Sequence, residues 1–325
     1  PVLSSIAIFL VMIAEQQAAA ASGQPGLTTG EFIAFNAAYG LFLGAMQALG
    51  DASLSLLRIV PIYERLSPVL VTEPEVDRSK AYPGKLKGQI EISRLKFRYD
   101  PDGPWIVNDL SLTIKPGEFV AFVGGSGCGK STLMRLMLGF EQPASGSIYY
   151  DGQDLASLDL RLLRQQIGVV LQVSRVMPTE MWRNITGATA RTIEDAWWAA
   201  ERAGLADDIR NMPMGMHTYV AEGGGTLSGG QRQRLMIARA IVNRPKILFL
   251  DEATSALDNR TQAIVTESMS KMEATRIVIA HRLSTIIDAD KICYLEAGQI
   301  VEMGTYAELM ALNGKFAELA RRQVA

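Results

Sequence analysis

The 325-residue sequence is poor in cysteine and in charge at its beginning, and carries no strong overall charge. Its two cysteines, Cys128 and Cys293, lie far apart, and Cys128 falls inside a glycine-rich loop that a disulfide would obstruct. Free thiols in a reducing cytosol are therefore expected. With 32 basic against 34 acidic side chains, the net charge of −2 supplies no global field for nucleic acid. Residues 1–57 contain no Lys or Arg and only three acids, Glu15, Glu31 and Asp51. From Arg58 onward charges are dense, so the composition divides the chain into an apolar head and a soluble body. The opening residues show no charged n-region and no cleavage site of a signal peptide. Starting at Pro1 and already mid-pattern, they read as part of a longer polypeptide.

Within the head, Pro1 to Ala14 is apolar apart from two serines, Ala18–Ala21 follow, and Ser22-Gly23-Gln24-Pro25-Gly26 reads as a turn. Phe32 to Gly50 is a run of 19 residues without formal charge, near the minimum for a bilayer span. Gly40, Gly44 and Ala48 recur at the four-residue spacing that lets membrane helices approach closely. Arg58 and Arg65 would place the following end in the cytoplasm. The competing reading is a buried helical hairpin of a soluble protein, because the segments are rich in Ala and Gly rather than Leu.

Residues 68–88 read as a linker. Gln89–Tyr99 alternates through Ile90, Ile92, Leu95, Phe97 and Tyr99, and Ile106–Ile114 forms a second β run. Then Gly124-Gly125-Ser126-Gly127-Cys128-Gly129-Lys130-Ser131 fits G-x-x-x-x-G-K-[ST]. The apolar strand Glu118–Val123 precedes it and the helix-forming run Thr132–Leu138 follows, the context that makes the pattern a phosphate cradle. Glycines let backbone N–H groups turn toward an anion. Lys130 would reach the β- and γ-phosphates, and the Ser131 hydroxyl would ligate Mg²⁺.

A second apolar strand, Lys246–Leu250, ends in Asp251-Glu252. Two carboxylates at the C-terminal end of such a strand can divide the work, Asp251 holding Mg²⁺ and Glu252 orienting the attacking water. Between these elements, Leu227-Ser228-Gly229-Gly230-Gln231 opens another helix and makes a second anion site. Spacing alone leaves open whether both sites face one nucleotide or two. Beyond the phosphate loop strands and helices alternate, which argues for an α/β core with a largely parallel sheet.

Leu227–Gln231 resembles the signature of ATP-binding-cassette (ABC) proteins, and further elements of that family follow in its order over roughly residues 89–325. The resemblance implies an α/β P-loop NTPase cassette: a mostly parallel core sheet, an antiparallel β subdomain and a helical signature subdomain. Two apolar transmembrane-type helices precede it. On this reading residues 1–67 are the C-terminal part of an exporter membrane domain, 68–88 the linker and 89–325 the ATP-binding domain. Tyr99 resembles the aromatic that stacks on adenine, with Gly124 through Thr132 around the phosphates. Gln172, after Val169-Val170-Leu171, resembles the Gln that touches Mg²⁺ and couples to the membrane domain, so that Mg²⁺ would meet Ser131, Gln172 and Asp251. His281 resembles the His that contacts the γ-phosphate, giving Glu252, His281, Lys130 and Gln172 as the catalytic set. Ser255-Ala256-Leu257-Asp258 matches the loop joining two cassettes. The family arrangement is a head-to-tail dimer in which Ser228, Gly229, Gly230, Gln231 and Asp258 of one copy complete the ATP site of the other.

Thr218–Gly224 resembles the loop by which exporter cassettes grip their membrane domains. The wording from Met212 to Thr226, with Asp258–Gln262 and Leu319–Arg322, is similar to permease/ATPase subunits that export bacteriocin-type peptides with nitrile-hydratase-like leaders. The implied protein is an ATP-hydrolysing exporter of the bacterial inner membrane, its ATPase domain cytoplasmic. Its expected partners are a second ABC subunit (the same chain or a close paralogue), membrane lipid and a peptide substrate, with no nucleic acid. Export of lipids or drugs, or a soluble ABC ATPase without transport, are the alternatives. Ser174–Glu180 departs from the family wording, and Pro178 would stiffen that segment. His217 reads as a loop histidine, and Trp197 and Trp198 as helix packing.

Overall fold

The computed structural model describes residues 2–23, 26, 28–72, 79–172, 175–221, 225, 227–251, 259–280 and 282–324. The chain divides into two compact units, Pro1–Glu75 and Val76–Ala325. The first holds α1 (Val2–Ser22) and α2 (Thr29–Val71). Thr28 caps α2 reciprocally: its hydroxyl accepts from the Glu31 N–H at 3.3 Å, and the Glu31 carboxylate accepts from the Thr28 N–H at 2.9 Å. That pairing satisfies two backbone donors a helix start leaves orphaned. Phe9 meets Phe32 edge-on at 5.9 Å, joining the two helices. At 43 residues, α2 is about 64 Å long. It runs past Gly50, through Arg58 and Arg65 and across Pro61 and Pro68, so residues 68–71 of the expected linker are helical.

No residue of α2 is buried. Ile33 is 62% exposed and Leu41 77%, and Phe35, Phe42, Met46 and Leu49 are exposed with them. An aliphatic or aromatic side chain left in water forgoes about 1.5–3 kcal/mol. Six of them approach the whole stability of a typical domain, about 5–15 kcal/mol. Within this chain the helix is not the core of a buried hairpin.

In the second unit, β1 (Ile90–Phe97), β2 (Val107–Ile114), β4 (Ser145–Tyr150) and β5 (Gln153–Asp154) form an antiparallel sheet in the order β2-β1-β4-β5. The step of three between the buried Ile92 and Leu95 is a bulge, with Arg94 at φ 46°. Gly146 on the facing strand comes so close that a Cβ would stand 2.4 Å from the Arg94 carbonyl oxygen, which is why glycine is needed there.

The second sheet runs β10 (Gln299–Gly304), β9 (Lys291–Glu296), β3 (Phe119–Gly124), β8 (Thr275–Ile279), β7 (Ile247–Asp251) and β6 (Ile167–Val170). All neighbours are parallel except β10, which returns antiparallel on β9. Every residue of β7 is buried, as expected of a strand covered on both faces, and this explains its unbroken apolar run.

Around the sheets lie α3 (Lys130–Met137), α4 (Leu160–Arg164), α5 (Met181–Thr186), α6 (Ile193–Arg202), α7 (Ala206–Arg210), α8 (Gly229–Ile241), α9 (Asn259–Ser270), α10 (Tyr306–Leu312) and α11 (Lys315–Val324). Three apolar clusters hold the unit together. One joins the two sheets across α3 through Leu133, Tyr150, Phe122 and Phe249. A second packs α5, α6 and α8 through Ile185, Ala196 and Ile237. The third sets Phe316 of α11 against Phe119 and Ile292.

Candidate functional site

The C-terminal ends of the parallel strands share one edge of the core sheet, the edge where α/β sheets bind ligands. There β3 feeds residues 125–129, and Gly129 precedes α3 with φ 105°. Two glycines are fixed by close approach. A Cβ on Gly124 would stand 2.2 Å from the Leu295 carbonyl oxygen, and one on Gly129 2.6 Å from that of Ile106. The loop thus wraps tightly enough for backbone N–H groups at the start of α3 to face one point. Lys130 is buried, and its ammonium donates to the carbonyls of Gly124 at 2.9 Å and Gly125 at 2.8 Å. The charge is thereby held at the loop mouth.

Across from it, Asp251 emerges buried at the end of β7, with its Oδ2 3.5 Å from Ser131 Oγ. A cleft of about 330 Å³ joins Lys130, Ser131 and Thr132 to Gln172, Tyr99, Ile106 and the loop residues Ser126, Gly127 and Gly129. The Ser131 hydroxyl and the Gln172 amide on this cleft, with the Asp251 carboxylate next to Ser131, are a hard-oxygen donor set, the kind Mg²⁺ takes, so these residues fit that ion. Tyr99 is 58% exposed. Its ring stands edge-on to Phe97 at 4.9 Å, and its hydroxyl lies 3.3 Å from Thr132 Oγ1, leaving a ring face available for stacking. Cys128 and Cys293 are both free thiols, and burial pushes the Cys293 thiol up to about 12.

The signature turn lies elsewhere. Ser228 caps α8: its Oγ accepts from the Gln231 N–H at 3.1 Å while Gln231 Oε1 accepts from the Ser228 N–H at 2.9 Å. The Ser228 hydroxyl proton remains a donor, and the N–H groups of Gly229 and Gly230 have no carbonyl one turn back. Asp208 of α7 fixes the turn from below, accepting from Gln231 Nε2 at 2.8 Å and pairing with Arg234 at 3.0 Å. None of Ser228, Gly229, Gly230 or Gln231 lines the cleft at Lys130. Glu252, Asp258 and His281 lie outside the described residues.

Sequence reasoning missed a knot of polar groups between the segment after Gln172 and α8. Asn184 is fully buried. Its Oδ1 accepts from the Met177 N–H at 2.9 Å and its Nδ2 donates to the Met177 carbonyl at 2.9 Å. Arg239 of α8 donates to the Asn184 carbonyl at 2.6 Å and to its Oδ1 at 2.8 Å, and desolvation lowers the Arg239 pKa. The same segment meets residues 214–220. Glu180 bridges to Tyr219 through the backbone, the Tyr219 hydroxyl donates to the Pro178 carbonyl at 2.7 Å, and His217 Nδ1 lies 3.2 Å from Glu180 Oε1. Neither periodicity nor motif spacing marks a lone Asn and a lone Arg as partners. A buried Asn beside a helix could be sought only by asking where its four hydrogen-bonding valences go.

A glycine loop carrying a buried lysine, a hydroxyl facing a strand-end carboxylate, and a separate Ser-Gly-Gly helix cap define a cassette-type nucleotide-binding domain. Residues 107–255 match the ABC transporter family, and the chain carries that family's ATP-binding domain. The chain is 42% identical over 290 residues to the leukotoxin translocation ATP-binding protein LktB of Pasteurella haemolytica-like sp. (strain 5943B), an alignment covering 88% of this chain and 41% of that protein. It is 41% identical over 302 residues to LktB of Mannheimia glucosida, covering 92% and 43%. The chain thus spans under half the length of these relatives. Among solved structures, a bacterial Atm1-family ABC exporter with ATP bound aligns over 100% of this chain and 58% of its own, with TM-score 0.83 and 33% identity.

Proposed function

We propose that this chain is the ATP-hydrolysing domain and part of the membrane domain of an exporter of the bacterial inner membrane, working as a head-to-tail dimer. The observation that carries the reading is the separation of two anion sites. Lys130, Ser131 and Gln172 share one cleft, while the donors of Ser228, Gly229 and Gly230 lie off it. A second copy, or a close paralogue, would bring its Ser228 turn against the γ-phosphate, with Asp258 beside the seam. Lys130 and the loop N–H groups bind and orient the triphosphate, Ser131, Asp251 and Gln172 would hold Mg²⁺, and Glu252 with His281 would position water at the γ-phosphorus. The metal, when bound, supplies neutralisation of the charge spreading over the phosphoryl oxygens.

Membrane residence is supported by α2, whose uncharged stretch 32–50 has no buried residue. A Cβ added at Gly40 or Gly44 would meet nothing within 4 Å, so a neighbouring helix has room to approach closely there. At about 64 Å the helix is longer than a bilayer core of about 30 Å, and its charged last third from Arg58 would project into the cytoplasm. For cargo, a peptide with a bacteriocin-type leader is the reading the Met212–Thr226 wording favours. The two relatives are named for translocation of a leukotoxin, which agrees with export and with a polypeptide cargo. The test is ATP-driven uptake of a leader-bearing peptide into inside-out vesicles carrying the full-length protein. Uptake abolished by removing the leader supports the reading. Uptake of lipid or drug analogues alone replaces the cargo, and ATPase activity wholly in the soluble fraction removes the transporter.

A further inference from the structure

At the opposite edge of the core sheet, around the starts of β6 and β7, lies an open cleft of about 640 Å³. Its lining brings together four cations from three chain segments, Lys85, Arg191, Arg244 and Lys246, and among the described residues no carboxylate. Their backbones are tied to one another. Gln166 clamps the residues on either side of Lys85, accepting from the Leu86 N–H at 2.9 Å and donating to the Gly84 carbonyl at 2.7 Å, while its own carbonyl accepts from the Lys246 N–H at 3.2 Å. Asn243 holds Arg191, whose Nε donates to Asn243 Oδ1 at 3.1 Å and whose Nη2 donates to the Asn243 carbonyl at 3.2 Å.

Arg244 follows α8 in the left-handed region, φ 52°, where glycine or asparagine rests more easily. Here the guanidinium lies 4.9 Å from the Trp198 ring centre. The nearby acids balance only part of the charge. Asp195 stands 3.9 Å from Arg191 and 3.7 Å from Arg244, and Glu273 3.9 Å from Lys246, all beyond hydrogen-bond range. Four cations against two such carboxylates leave two positive charges facing a concave surface.

We propose that this cleft binds a small polyphosphorylated molecule, at a site separate from the ATP site. The open guanidinium fork of Arg244, the Arg191 guanidinium and two ammonium groups match several closely spaced phosphate oxygens better than the single oxygens of isolated carboxylates. The Thr189 hydroxyl and the Gln165 amide add neutral donors at the same cleft, and its volume falls in the range of about 300–1,000 Å³ usual for small-ligand sites.

The test is isothermal titration of inorganic tripolyphosphate into the whole chain carrying Lys130→Ala, which silences the phosphate loop. Saturable binding is expected, weakened at least tenfold by Arg191→Gln with Arg244→Gln. A second pair on the cleft wall, Lys85→Gln with Lys246→Gln, guards against misfolding and should weaken binding at least threefold with an unchanged melting temperature. Arg244→Lys, which keeps the charge and loses the fork, should also bind more weakly than its parent. Absence of saturable binding, or affinity unchanged by both pairs, overturns the proposal. Tighter binding of hexaglutamate than of tripolyphosphate overturns it too, by making the cleft an acidic-peptide site.

Discussion

At the scale of single residues, charge placement decides the outcome of substitution. The Lys130 ammonium is buried and held by two carbonyls, so no neighbouring cation can replace it when the triphosphate enters. Lys130→Ala should therefore lose ATP binding by at least a hundredfold, measured with a fluorescent nucleotide, since charge-assisted bonds in such a site are each worth about 1.5–3 kcal/mol. Glu252→Gln keeps shape and removes only the carboxylate charge. ATP binding should stay within a few-fold while turnover falls about 10²–10⁴-fold, and near-normal phosphate release would take Glu252 out of the chemistry. A pH effect belongs to Glu180, whose carboxyl is held below its ordinary range first by the Trp182 indole N–H and then by His217. A carboxyl depressed in the folded state contributes stability above its unfolded value, about 4.3, and loses that contribution as pH falls through the folded one. The gap in melting temperature between the parent chain and Glu180→Gln should be widest near about pH 6 and close below about pH 4. A gap constant across that range would show that the carboxylate charge plays no part.

The elements themselves were largely legible, because they rest on local signals. The apolar run before Gly124, the capping Ser228 and the run ending at Asp251 each announce a strand or helix by composition alone, and β3, α8 and β7 begin or end within a few residues of those marks. Even the bulge of β1 is visible afterwards in the three-residue step from Ile92 to Leu95. What was not legible is long-range. Nothing local shows that α2 would run on across two prolines to Val71. Pro61 and Pro68 each remove one helical hydrogen bond, yet the helix continues. Nor does spacing show that Asn184 of α5 would receive Arg239 of α8. That pair predicts how the helical elements hold together. Asn184→Ala takes the Oδ1 acceptor from the half-buried Arg239 and strips Met177 of two hydrogen bonds, a loss of about 2–4 kcal/mol. Arg239→Ala should cost a similar amount, and the double variant should be at least about 1 kcal/mol less destabilised than the sum, because the two share one network. Additive losses in urea unfolding would mean that α5 and α8 are held by their apolar contacts alone.

At the scale of the whole molecule the question is whether one chain suffices. The cleft at Lys130 is lined by loop residues, Ser131, Gln172 and the exposed Tyr99, but by no residue of the signature turn. Two defects can therefore be placed in different copies. A chain with Lys130→Ala has a dead loop and an intact signature, and a chain with Ser228→Arg has the reverse, its new side chain filling the space a γ-phosphate would need. Each alone should be inactive. Co-produced in equal amounts, half of the dimers will be mixed. Each mixed dimer holds one site built from the good loop of one copy and the good signature of the other. Such a preparation should recover up to about a quarter of parental ATP hydrolysis, or less if the two sites must fire in alternation, but distinctly more than either variant gives by itself. If each chain instead closed its own signature over its own loop, every site in the mixture would carry one of the two defects and no activity would return. The same experiment reaches the membrane reading, because the intact stretch 32–50 of α2 is carried by both copies. If α2 helices from two chains pack through Gly40 and Gly44, Gly44→Leu in both copies should reduce the recovered activity by separating the membrane halves, without changing ATP affinity at Lys130.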